Sequence, residues 1–205
     1  YTLTSEKLKK VLFPIGAIDK AEIKAIAREQ GLITADKKES MGICFIGKRD
    51  FKPFLQKYIS ATPGDFITPE GKAVGHHDGI AYYTIGQRKG LGIGGPGEPW
   101  FVVSKDIENN TITVVQGEDH PLLHGAALTA TEMHWIAGKT PKMPLRCTAK
   151  IRYRHDDVPC TIFDDGGDRV RVEFDSPQKA ITPRQSMVLY DGEICLGGGF
   201  IEKKV

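Results

Sequence analysis

From Thr62 onward the sequence is broken into short apolar or alternating stretches, each closed by glycine, proline, asparagine or aspartate. Pro63-Gly64, Pro69-Glu70-Gly71 and Gly75 punctuate the first of them. Phe101-Val102-Val103 and Thr111–Val115 flank Glu108-Asn109-Asn110, a hairpin pattern. Leu128–Met133, Leu145–Tyr153, Cys160–Phe163, Val170–Phe174, Met187–Tyr190 and Ile194–Ile201 continue the series. Many short strands divided by turn residues restrict this part of the chain to a small barrel or sandwich.

The first 31 residues have a different period. Thr4-Ser5-Glu6-Lys7, followed by Leu8, Val11 and Leu12, predicts a capped amphipathic helix ended by Pro14 and Gly16. Asp19, with Glu22 as its capping-box partner, opens a second helix, and Gly31 sits where a C′ glycine belongs. A third helix is expected from Asp50 to Ile59, with Phe51, Phe54, Leu55 and Tyr58 on a core-facing side and Pro53 in its first turn. Two short N-terminal helices bury little alone and imply a body to dock against.

Composition sets the outer bounds. The 205 residues are 40% hydrophobic and 26% charged, enough for a packed core. A net charge of +2 means that any nucleic-acid surface must be a local patch. No run approaches the roughly 18 apolar residues of a membrane span. The four cysteines form no CxxC pair, which argues against a zinc ribbon, and free thiols in a reducing cytoplasm are expected. Cys147, Cys160 and Cys195 fall in strand patterns and read as core residues. The chain begins at Tyr1, without a methionine, and reads as a piece whose N-terminal part is absent.

Several stretches carry chemistry-bearing residues. Gly75–Gly79 and Tyr83–Gly92 set His, Gln, Arg and Lys among glycines, to bracket an RNA backbone, to support a site at Cys44, or as a glycine-rich hairpin with a basic tip. Gly92-Ile93-Gly94-Gly95-Pro96-Gly97 matches GxGxxG, but Pro96 and Pro99 forbid the helix a dinucleotide site needs. His76 and His77 point to opposite faces of a strand, so they make no metal pair, and no metal is expected. Lys150-Ile151-Arg152-Tyr153-Arg154 predicts a strand with its three cations on one face, suited to phosphates. Ser176–Ser186 reads as a loop with an amide, Gln185, able to reach a base edge, and Leu196-Gly197-Gly198-Gly199 as a tightly closed strand.

Glu39–Gly47 holds a single cysteine, Cys44, with Lys48 and Arg49 just beyond. Cations lower a thiol's pKa from about 8.5 and populate the reactive thiolate. Local chemistry equally accommodates a small buried hydrophobe on a short strand.

Phe13-Pro14-Ile15-Gly16 with Lys20, Lys38–Gly47, Gly75–Gly92, Arg152-Tyr153-Arg154 and Leu196–Gly199 together resemble the tRNA-specific 2-thiouridylases, the MnmA/TrmU family, in order and approximate spacing. The resemblance implies an α+β, mostly β fold with short N-terminal helices, a small central β-rich domain and a C-terminal antiparallel β-barrel. It implies three parts: 1–50, the tail of a PP-loop catalytic domain; 51–120, the central domain; and 121–205, the tRNA-binding barrel. The ATP-binding domain, with its SGGxDS loop and partner cysteine, is expected to be absent. ATP and Mg2+ would then belong to that domain, with no cofactor site in this chain.

The implied reaction adenylates the wobble uridine of tRNAs for Lys, Glu and Gln with ATP. Cys44 would match the family's cysteine that carries sulfur as a persulfide, loaded by a sulfur-relay donor protein. Arg152, Tyr153 and Gln185 would match residues that contact the tRNA anticodon arm. The family usually has glycine before that glutamine; here it is Arg184. The implied setting is cytoplasmic and away from membranes. The alternative is a non-catalytic tRNA-binding β-barrel module.

Overall fold

The computed structural model describes residues 1–38, 51–153 and 155–205, without the side chains of Phe51 and Lys52. The Cys44 stretch and Arg154 lie outside the described residues. The chain divides into two compact units, Glu6–Tyr58 and Tyr1–Ser5 with Ile59–Val205.

Helix α1 is a single turn, Ser5–Leu8, and the expected longer helix does not form. Ser5 does not cap it. Its N–H and hydroxyl both donate to the Ile136 carbonyl, at 2.9 and 2.7 Å. Val11 and Leu12 are exposed.

In the Glu6–Tyr58 unit, α2 spans Lys20–Glu29 with Asp19 at the N-cap position. The Asp19 side chain makes no cap bond, so the expected capping box is not formed. Its C-terminus follows the sequence closely: Gly31, at φ +64°, donates to Arg28 O, and Leu32 donates to Ala27 O. These two bonds are a Schellman motif, which needs the left-handed C′ residue that glycine supplies. Helix α3 covers only Phe51–Leu55, and turns continue it through Tyr58. The Phe54 and Tyr58 rings meet at 5.3 Å, but Tyr58 is 73% exposed and is not the core residue expected.

The other unit is mostly β. A four-stranded sheet has the order β2-β1-β4-β3, with β1 Gly64–Ile67, β2 Ala73–His77, β3 Trp100–Asp106 and β4 Thr111–Gln116. The β3–β4 hairpin is antiparallel, as the sequence predicts, while β1 and β4 run parallel. Phe66, Val102, Ile112 and Val114 are fully buried.

His77 is buried among them, 1% exposed, with Phe66 and Tyr83 edge-on to its ring. Its Nδ1 accepts from Gly79 N–H at 3.1 Å, so the proton sits on Nε2, which donates to Asn110 O at 3.1 Å. Its neighbour His76 is exposed and bonds Asp65, as strand alternation requires.

Burial holds the His77 pKa below the ordinary 6.5. Below about pH 6.5 the unfolded chain therefore takes up a proton that the folded chain resists. The stability from neutral His77 is present above that pH and lost as pH falls toward the folded pKa. Thermal melts should show a larger loss of stability between pH 7 and 5 in the parent than in His77→Gln. Equal pH dependence in the two would contradict this account.

Strands β5 His124–Trp135, β6 Leu145–Lys150, β7 Val158–Asp164, β8 Val170–Lys179, β9 Ser186–Asp191 and β10 Ile194–Lys204 close an antiparallel barrel in the order β10-β5-β8-β7-β6-β9. The chain is thus mostly β, with short helices before a closed six-stranded barrel. Alternating residues fill the barrel: Leu128 from β5, Ala149 from β6, Ile162 from β7, Val172 from β8 and Leu189 from β9. Cys147 and Cys160 are a buried cross-strand pair with Sγ atoms 3.7 Å apart. Cys195 is only half-buried, beside Tyr190 on β9.

Candidate nucleic-acid interface

Strand β6 ends at Lys150, three residues short of the predicted end. The expected row of cations on one strand face is therefore not formed by the described residues. Lys150 pairs with Asp157 at 3.2 Å. Ile151 stays buried, the chain bends at Arg152, and Tyr153 is 84% exposed rather than packed beside Ile151.

Arg152 turns inward. Its Nη2 donates to Ile85 O at 3.2 Å and to Thr182 Oγ1 at 3.1 Å. It so joins two stretches far apart in sequence: the glycine-rich segment 83–92 and the loop before β9. The Thr182 hydroxyl in turn donates to Ala180 O at 2.8 Å. The same junction is closed by Gly86 and Ala180. A β-carbon on Gly86 would lie 2.5 Å from the Ala180 β-carbon, so only glycine allows that approach.

Gln185 follows from Thr182 by a tight turn. Gln185 N–H donates to Thr182 O at 3.3 Å, with Pro183 and Arg184 between them. Arg184 has φ +68°. Proline second and a positive φ third is the pattern of a type II turn, whose third position favours glycine. The turn is held to β10 by Arg184 N–H to Ile201 O, 2.7 Å, and Ile201 N–H to Gln185 O, 2.9 Å. Arg184 and Gln185 are exposed. Arg184 sits in the left-handed conformation that glycine adopts without strain.

The glycine-rich segment is stapled by its own side chains. Gln87 Oε1 accepts from Thr84 N–H at 3.0 Å, and Gln87 Nε2 donates to Lys89 O at 3.0 Å. Gln87 therefore shapes the loop instead of offering its amide outward. Lys105 Nζ donates to Tyr83 O at 2.9 Å, and burial lowers its pKa. Arg88 and Lys89 are exposed on the wall of an open cleft that Trp100 also lines. Gly92–Gly97 form no helix, as their prolines require.

Of the four residues singled out from sequence, the fold brings Arg152 and Gln185 together through Thr182 and places Tyr153 beside Arg152. Cys44 lies outside the described residues. The joining residues Ile85, Ala180 and Thr182 were not anticipated. A weak signal for the turn was Thr182-Pro183 before a residue in a glycine position.

The barrel and its neighbouring sheet belong to a recognised class of RNA-modifying proteins. Residues 52–116 match the tRNA methyl transferase PRC-barrel domain, and 126–201 the aminomethyltransferase beta-barrel domain. Residues 1–48 match the tRNA methyl transferase HUP domain. The chain is 52% identical to the tRNA-specific 2-thiouridylase MnmA of Vibrio cholerae, aligned over 100% of this chain and 56% of the relative. The same protein of Aliivibrio fischeri is 52% identical, with the same shares covered. That of Francisella philomiragia is 52% identical over 98% of this chain and 57% of the relative. The chain belongs to the tRNA-specific 2-thiouridylase family of sulfurtransferases, and spans about half the length of the curated relatives it matches.

The HUP match corrects two expectations. The nucleotide-binding HUP domain is represented in this chain, at residues 1–48, so it is not absent. The cofactor therefore cannot be assigned wholly to sequence outside the chain. Within residues 1–38, glycine occurs only at 16 and 31, and Gly31 ends a helix. These described residues make no glycine-rich phosphate cradle.

Proposed function

We propose that this chain carries the sulfur and holds the tRNA in a 2-thiouridylase acting on the wobble uridine of tRNAs for Lys, Glu and Gln. The observation that carries the reading is the 52% identity to named 2-thiouridylases across the whole chain. The three-part division, 1–50, 51–120 and 121–205, is part of the proposal. It is supported by the separate sheet and barrel, whose strands occupy 64–116 and 124–204.

In this reading a sulfur-relay protein loads Cys44 as a persulfide, Cys–S–SH. A thiol is required because only a thiolate both accepts the sulfur and leaves an inner sulfur open to exchange. The terminal sulfur becomes bonded to C2 of the uridine as the C2–O bond breaks, the oxygen leaving on the AMP group that ATP would first have placed on it. A second cysteine attacks the inner sulfur, and the pair ends as a disulfide. The base must first leave its stack, which costs a few kcal/mol. Tyr153 offers an exposed ring for stacking, and Gln185 an exposed amide for a base edge. The setting is proposed to be the cytoplasm. Among the described residues no helix is long and apolar enough to cross a membrane.

The tRNA role is tested by equilibrium binding of the full chain to unmodified tRNA for Lys from about 0.05 to 0.2 M salt. Affinity should fall steeply with salt, by roughly 0.7–0.9 in log–log slope for each phosphate neutralised. No binding, or binding indifferent to salt, would count against it.

A further inference from the structure

The cation that the sequence assigns to phosphate, Arg152, is engaged inside the protein, with its Nη2 shared between Ile85 O and Thr182 Oγ1. The turn it supports presents another. Arg184 occupies a left-handed position, φ +68°, that costs an L-residue roughly 1–2 kcal/mol and that glycine fills without strain. A non-glycine residue kept in such a conformation on an exposed turn points to a role for its side chain.

Packing does not account for the arginine, because its side chain is 81% exposed. Nor does its nearest acid. Glu132 Oε1 stands 3.6 Å from Arg184 Nη1 and is itself 58% exposed, and a loose exposed pair of that kind contributes little. The guanidinium is thus held at the surface beside Gln185 by a turn fixed at both ends, to Ile201 and, through Thr182, to Arg152. Planar, exposed and only lightly engaged, it suits a phosphate oxygen pair, which would displace Glu132.

Resting on the tRNA-binding reading above, we infer that Arg184 supplies a phosphate-binding cation of the tRNA face, and that Arg152 is the positioning residue that holds its turn against the glycine-rich segment. Specificity would come from Gln185 next to it, since phosphate contacts position and base contacts specify.

The two roles separate in one experiment: tRNA affinity against salt, with a thermal melt, for the parent, Arg184→Gly, Arg152→Gln and Arg152→Lys. Arg184→Gly should melt no lower than the parent, because the turn loses its strain. It should bind tRNA about five- to tenfold more weakly at low salt, with a log–log slope smaller by about one phosphate's worth, roughly 0.7–0.9. Both Arg152 variants should melt lower, and Arg152→Lys, which keeps the charge but lacks the reach and the rigid plane of the guanidinium, should keep the parent's slope. A parent slope in Arg184→Gly overturns the inference. So does a slope lost in Arg152→Gln without any fall in melting temperature, which would return the phosphate to Arg152. If the parent itself binds no tRNA, the tRNA reading fails first and takes this inference with it.

Discussion

Gly197→Ala is expected to destabilise the barrel by about 3–5 kcal/mol, lowering its melting temperature on the order of 10 °C. Strand β10 closes the barrel between β5 and β9. It does so with three consecutive glycines, each pressed against a neighbour's backbone. A β-carbon on Gly197 would fall inside contact distance of His134 O, one on Gly198 of Met187 O, and one on Gly199 of Thr131 O. Carbonyls already committed to a strand ladder cannot move aside without breaking it. Gly197 also has φ +153°, a region that other residues enter only at a cost of order 1–3 kcal/mol. Gly192→Ala is the control: its φ is +55°, but nothing lies within 4 Å of the added carbon. It should cost only the backbone strain, about 1–2 kcal/mol. Equal melting of the two variants would contradict the pinched-strand account.

Much of this fold was legible because period and punctuation agree in it. The six strand-like stretches after residue 126 each correspond to a barrel strand, since alternation and turn residues report a closed sheet's two faces directly. The Gly31 cap was legible for the same local reason. The misreadings share a physical cause, which is that tertiary contacts overrode local pattern. Ser5 reads as a cap but bonds Ile136, more than a hundred residues away. The alternation of residues 150–154 reads as a strand, but Arg152 leaves it to reach Ile85 and Thr182. Tyr58 has helical spacing but lies exposed.

At the candidate site, composition named residues and could not say which way they point. Gln87 looked available and is used within its own loop. Arg184 stands where the family usually has glycine. The backbone keeps the glycine conformation and exposes the guanidinium. The proposed division of labour between Arg152 and Arg184 depends on a contact between stretches about a hundred residues apart, which no local pattern encodes.

The largest functional effect is expected at Cys44. Serine there keeps the size and loses the thiolate, so neither persulfide formation nor later exchange at sulfur is possible. The proposed tRNA face uses other residues, so Cys44→Ser should bind tRNA as the parent does while making no product. That combination separates a sulfur carrier from a tRNA-binding barrel that leaves the chemistry elsewhere. The most direct measurement uses the whole protein at the length of its relatives, with ATP, magnesium, a persulfide donor and unmodified tRNA for Lys. It reads 2-thiouridine by mass spectrometry. The account predicts product from the parent and none from Cys44→Ser; equal product from both would contradict it and leave this chain as a tRNA clamp.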